Sequence, residues 1–306
     1  MSDLSDKPGA VVVVGSLHYD IMVDAPERPR RGETVAGHRW RPKFGGKGGN
    51  QAAAATMAGA PTRMAGAVGD DDFGAFLLKG LDAAGVDRTH VAVLPGAASG
   101  MSVAICDKDG DYGAVIVSGS NLRIPDGFLG AADFWRNARI LLLQNETTEE
   151  VNAAAARRAR AAGVLVCLNA APARPLGSDL AELVDVLVVN AVEAEMLSGI
   201  SVGGVEDARR AAVALRRDGR AAVVTAGGAG VAAATAERSF SVPAVPVEVA
   251  GTHGAGDAFV GVFAAATAGG KTFEEAITQA NMAASAHVAG RLHPIAARSA
   301  DHGPES

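Results

Sequence analysis

The chain has 306 residues, 48% of them hydrophobic and 20% charged, with a formal net charge of -6. That balance supplies apolar surface for a large packed core and excludes a disordered chain, and the acidic surplus argues against a nucleic-acid partner, whose phosphates call for a basic surface. Residues 1–8 lack the basic and apolar regions of a secretory leader, no apolar run reaches the roughly 20 residues of a bilayer span, and Cys106 and Cys167 stand apart in apolar runs without metal-ligand spacing, so a reduced, cytoplasmic setting away from any membrane is expected.

In chain order, short apolar runs alternate with Ala-rich windows. Strands are predicted over 10–15, 62–69, 139–143, 164–169, 186–190 and 222–226. Helices are predicted over 51–60, 73–84, 148–162, 191–198, 205–217, 255–268 and 272–290. This rhythm, with strands apolar throughout rather than alternating, predicts a mostly parallel sheet covered on both faces: a three-layer α/β/α fold. Two segments break it. Residues 20–44 and 99–118 alternate apolar and polar positions around turn signals such as Lys108-Asp109-Gly110, which predicts antiparallel hairpins. We place both in a small β lid across the C-terminal edge of the strands, where open α/β sheets bind ligands. Without an internal repeat or linker, residues 1–306 are expected to form a single domain with the lid as an insertion.

The densest chemistry lies in Ala250-Gly-Thr-His-Gly-Ala-Gly-Asp257, directly ahead of a helical window. Small residues let successive N–H groups turn outward at a helix N-terminus, where the macrodipole adds positive potential for an anion. Asp257 fits either a plain partner of that dipole or, beside an anion hole, a base that removes a proton from an attacking hydroxyl. A second cluster, Phe44-Gly-Gly-Lys-Gly-Gly-Asn-Gln51, lacks the Gly-Lys-Ser/Thr ending of a P-loop. It suits a structural turn as well as a binding loop, except that Lys47 and Asn50 are polar where a turn needs neither. Near other strand ends stand Asp20, Glu146, Asn169, and Asn190 with Glu193. Singly each suits a helix cap; together they mark a pocket at one sheet edge.

Gly45-Gly-Lys-Gly-Gly-Asn-Gln-Ala52 and Gly254-Ala-Gly-Asp-Ala-Phe-Val-Gly261 resemble, in this order, the two signatures of the ribokinase-like, or PfkB, family of carbohydrate kinases. The resemblance runs from about Val11 to Gly290. It implies transfer of the γ-phosphoryl group of ATP to a primary hydroxyl of a sugar, ribose foremost, with another pentose, a ketohexose or a nucleoside still open. It implies Asp257 as the base, with the amides of Gly254, Ala255 and Gly256 as the anion hole. Contacts to the sugar are implied at His18, Asp20, Gly46, Lys47, Asn50 and Glu146, and contacts to ATP at Asn190, Thr225, Gly227, Gly228, Gly230 and Asn281. Mg²⁺ is implied near Glu193, held through water.

The departures carry expectations of their own. Where the family reads Gly-Ser-x-Asn-x-Asp, this chain has Gly15-Ser-Leu-His-Tyr-Asp20, so His18 replaces an amide and Tyr19 a smaller residue. Both leave the acceptor open. Gly251 stands where many members carry an Asp that binds potassium, and losing a hard oxygen ligand makes K⁺ activation doubtful. A lid edge strand offers a surface for a homodimer, and the segment after Gly290 is expected to be a frayed tail. Two other classes compete. A catalytically silent sugar-binding protein on this scaffold would not need Asp257 with its glycines, and a dinucleotide-dependent oxidoreductase would need Gly-x-Gly-x-x-Gly after the first strand, which is missing.

Overall fold

A strand made only of Ala and Val, as in Ala10–Val14, buries both faces when strands flank it and helices cover it, and all five of its residues are buried. The computed structural model describes residues 9–107, 112–217 and 219–291. The expected turn at 108–110, the segment 1–8 and the tail from 292 lie outside them.

The strands are β1 (Ala10–Val14), β2 (His18–Asp24), β3 (Arg39–Gly45), β4 (Thr62–Gly69), β5 (Asp87–Leu94), β6 (Met101–Cys106), β7 (Tyr112–Val117), β8 (Ala138–Gln144), β9 (Leu165–Asn169), β10 (Val186–Asn190), β11 (Ala221–Thr225), β12 (Val231–Ala234) and β13 (Ser239–Val242). The helices are α1 (Lys47–Met57), α2 (Asp72–Ala84), α3 (Asp126–Leu129), α4 (Glu149–Ala161), α5 (Ser178–Ala181), α6 (Ala191–Ser198), α7 (Val205–Leu215), α8 (Ala255–Ala268) and α9 (Phe273–Val288).

Nine strands form one sheet in the order β13-β12-β11-β10-β9-β8-β1-β4-β5. It is parallel from β5 to β11 and closes with the antiparallel pair β12 and β13. Alternate residues of β1 divide the core. Val11 and Val13 pack with Ala52 and Ala55 of α1 and Phe259 and Phe263 of α8. Val12 and Val14 pack with Ala155, Ala156 and Ala159 of α4 and Ala211 of α7. The three-layer arrangement is therefore the expected one. Each fully buried Val or Phe of this kind contributes about 1.5–3 kcal/mol, and each Ala less.

The sequence reading omitted β5, β12 and β13. β12 is Val-Ala-Ala-Ala, whose composition does not favour a strand; its pairing with β11 and β13 overrides local preference. Helix α1 begins at Lys47 rather than 51, so the second glycine cluster is itself the first helical turn.

The lid is a four-stranded sheet in the order β3-β2-β6-β7. Both expected hairpins are present as β2–β3 and β6–β7, joined by a parallel pairing of β2 with β6. Only Gly15, Ser16 and Leu17 separate β1 in the main sheet from β2 in the lid. His18, Asp20 and Met22 are buried on one face of β2. Tyr19 points the other way, its ring stacked 4.0 Å from that of Phe73 on α2. The expectation that Tyr19 bears on acceptor choice is thereby corrected, because strand alternation sends it away from His18 and Asp20.

Helices α1 and α8 cross closely because position 261 has no side chain. A Cβ there would lie 2.5 Å from the Ala54 Cβ and 2.6 Å from the Gln51 carbonyl oxygen. Gly261→Ala is expected to push the helices apart and lower unfolding free energy by about 1–3 kcal/mol, the usual cost of overpacking. Urea denaturation would measure it, and an unchanged midpoint would contradict the close crossing.

Candidate active site

The close crossing brings two helix N-termini together. Gly254 caps α8 at φ 89 and Asp257 lies in its first turn. Gly46, at φ 85, caps α1, a backbone conformation that L side chains rarely adopt. From the first turns of α1, Asn50 Nδ2 donates to Asp257 Oδ2 at 3.1 Å and Gln51 Nε2 to Asp257 Oδ1 at 3.0 Å. Gln51 is fully buried. Its Nε2 also lies 3.0 Å from Asn169 Oδ1, and its Oε1 accepts from Gln144 Nε2 at 2.9 Å.

Asp257 is 8% exposed and lines a cavity of about 150 Å³ with Lys47, Asn190, Glu193, Thr225 and Gly256. Burial pushes its pKa up, opposed by the charge of Lys47 and the two amide donors. Glu193 is likewise shifted upward by burial. Its Oε2 accepts from the Asn190 N–H while the Asn190 Oδ1 accepts from the Glu193 N–H, both at 2.9 Å. This capping box starts α6 and fixes the carboxylate at the cavity wall.

Asn190, Thr225 and Gly256 also belong to an adjoining cleft of about 650 Å³. Gly227, Gly228 and Gly230 form one side of it, and Val245, Val249 and Phe259 make it apolar. Asn281 reaches the same cleft, but its amide donates to the Pro243 carbonyl at 2.8 Å and so secures the wall. Of the three amides expected in the anion hole, that of Ala255 donates to the Thr252 carbonyl at 3.2 Å.

On the lid side, Glu146 Oε2 accepts from Ser16 Oγ at 2.5 Å and from the Lys47 N–H at 2.9 Å, and lies 3.6 Å from His18 Nδ1. Asp20 Oδ1 accepts from Ser102 Oγ at 2.5 Å. Burial raises the pKa of Asp20 and lowers that of Lys43, its cross-strand neighbour, so desolvation outweighs their attraction in both. This side is closed in, with His18 2% and Asp20 5% exposed.

The expected site residues thus gather at the C-terminal edge of the sheet and under the lid. A groove of about 850 Å³ at the opposite edge, where Leu165, Val186 and Ala221 begin their strands, contains none of them. The sequence reading missed Ser16, Lys43, Gln51, Ser102 and Gln144. Gln51 carried the one usable signal, a long polar side chain immediately before an unbroken run of Ala in a helix bound for the core.

A family model described as pfkB family carbohydrate kinase matches residues 9–292. The chain is 34% identical over 279 residues to a ribokinase of Bacillus subtilis, covering 91% of this chain and 92% of that protein. It is 31% identical over 284 residues to a deoxyribokinase of Salmonella typhi, covering 92% and 93%. The structure of an Arabidopsis thaliana ribokinase complexed with ribose and ATP superposes with a TM-score of 0.83 at 31% identity, covering 92% of this chain and 93% of the other.

Because burial raises the folded-state pKa of Asp257, ionising it in the folded protein costs stability. The cost is absent below the unfolded pKa, grows as pH rises toward the folded value, and is complete above it. Asp257→Asn is therefore expected to melt above the parent at about pH 8 and to lose that advantage toward about pH 4. Melting curves across this range check it; a pH-independent difference would contradict the raised pKa.

Proposed function

This chain belongs to the pfkB family of carbohydrate kinases, and we propose that it transfers the γ-phosphoryl group of ATP to a primary hydroxyl of a pentose, ribose foremost. It is a phosphotransferase with an alcohol acceptor. The observation that carries the reading is the Asp257 carboxylate, held by two carboxamides in the wall of a small cavity that opens into the cleft past Thr225 and Gly256.

Asp257 takes the proton of the acceptor hydroxyl as its oxygen attacks the γ-phosphorus and ADP leaves. Its upward-shifted pKa strengthens it as a base, and the Asn50 and Gln51 amides fix the direction in which it accepts. Lys47 with the Gly254 and Gly256 amides would meet the charge on the moving phosphoryl group, the Ala255 amide being held by the Thr252 carbonyl, and fixed donors there need no reorganisation. Asp20, Asn50 and Glu146 orient the sugar. The carboxylates now accepting from Ser16 and Ser102 have the chemistry to accept from sugar hydroxyls instead.

Magnesium would supply charge neutralisation on the phosphates. Among the described residues no three His, Cys, Asp or Glu side chains cluster as a metal site. A lone carboxylate, Glu193, in the cavity wall suits an ion that keeps its waters and leans on substrate phosphates. Gly227, Gly228, Gly230 and Asn281 would line the base and ribose end of the nucleotide.

The ribokinase and deoxyribokinase relatives favour a pentose, and His18 in place of an amide is the residue most apt to tune the choice between them. No described helix is long and apolar enough to cross a membrane, in keeping with a cytoplasmic enzyme. Exposed Val115, Ile116 and Val117 on β7, at the lid edge, suit pairing with a second copy; sedimentation of the purified protein would decide between dimer and monomer.

In an ADP-release assay over pentoses, ketohexoses and nucleosides, ribose or 2-deoxyribose is expected to give the highest kcat/KM. Asp257→Asn should lower kcat by about 10²–10⁴ with KM values little changed. Near-normal turnover in that variant would remove Asp257 as the base. His18→Asn should raise kcat/KM for ribose relative to the other acceptors, and an unchanged ranking would remove His18 from the sugar site.

A further inference from the structure

The loop that delivers Asp257 is anchored from the end of α9. The Ala250 and Gly251 N–H groups donate to the Val288 carbonyl at 2.8 and 3.2 Å. One residue earlier, His287 is 9% exposed and places its Nε2 3.0 Å from the carbonyl oxygen of His253. A carbonyl oxygen only accepts, so this nitrogen is the one that carries the proton and donates. The ring also lies against the helix cap, since a Cβ on Gly254 would come within 3.2 Å of Nε2. The His253 side chain does not compete for this role as a cation: burial, with Lys43, Lys47 and His287 adding repulsion, pushes its pKa down to about 4.

The potassium ion associated with this loop in the resemblance does not fit the residues present. Position 251 offers no side-chain oxygen, and the His253 carbonyl, a hard oxygen in the same loop, is turned to the His287 N–H instead of lying open to a cation. We propose that His287 is a positioning residue that takes the place of a monovalent cation, its Nε2–H holding the His253 carbonyl so that the 251–254 loop presents α8 and Asp257 in the working orientation. The proposal rests on the kinase reading for its kinetic arm only.

The structural arm needs no turnover. In His287→Ala, amide hydrogen exchange across residues 250–258 should rise several-fold, and His287→Gln, whose amide can still donate, should restore protection. The parent should melt at the same temperature in potassium chloride and in tetramethylammonium chloride. Gly251→Asp combined with His287→Ser should instead melt higher in the potassium salt. In the kinetic arm, His287→Ala should lose up to about 10²-fold in kcat, the scale of a misplaced reacting group, with sugar KM within a few-fold and recovery in His287→Gln. A parent that is stabilised by K⁺ or activated several-fold by it overturns the proposal, as does unchanged exchange in His287→Ala. Absence of sugar phosphorylation by the parent would count against the kinase reading and leave the exchange and melting results to judge His287.

Discussion

The site depends on one carboxylate held across two helices. Asp257 enters from α8, and both amides that grip it come from α1, with Asn50 on one oxygen and Gln51 on the other. Neither helix could supply the arrangement alone. It exists because Gly261 and Ala54 let the two axes approach, so that first turns distant in sequence share one cavity wall.

This grip has an energetic tension that suits a base. Burial disfavours the ionised form, and the two amides and Lys47 offset only part of the cost. A carboxylate made too comfortable by donors would bind a proton weakly; one left without donors would stay protonated or swing away. The fully buried Gln51 settles the geometry, since Gln144 and Asn169 hold its amide from the far side and leave one direction for its donation to Asp257. Packed donors of this kind keep the Asp257 carboxylate aimed in one direction.

The fold was legible where local pattern and tertiary role agree. Apolar runs such as 10–15 and 139–143 became buried strands, and the alternating segments became lid hairpins. The misses have physical causes. Ala-rich β12 is a strand only because β11 and β13 flank it, and edge strand β5 buries only His90, Val91 and Ala92 between polar or exposed ends, which shortens its apolar signal. Asp257, Lys47 and Asn50 were marked by glycines whose density needs explaining. Lys43 was not, because a single polar letter does not reveal which way its side chain faces until the strand is packed. Gln51, at the end of the same glycine cluster, was passed over although its place before a run of Ala was a signal. Tyr19 taught the same lesson in reverse: it is adjacent to two site residues in sequence, yet strand alternation sends it to the opposite face, against Phe73.

The short passage of chain from β1 into β2 has a mechanical consequence. His18 and Asp20 ride on the lid, whereas Asn50, Glu146 and Asp257 belong to the main body, and the chain passes from β1 into the lid through three residues and from β3 back into α1 through Gly46 alone. A swing of that flap would not merely uncover a finished pocket; it would carry His18 and Asp20, two of the six residues proposed to contact the sugar, away with it. On the proposed reading, capture of the acceptor and shutting of the flap would be coupled, and an open, empty enzyme would hold no complete cradle for water to occupy as substrate.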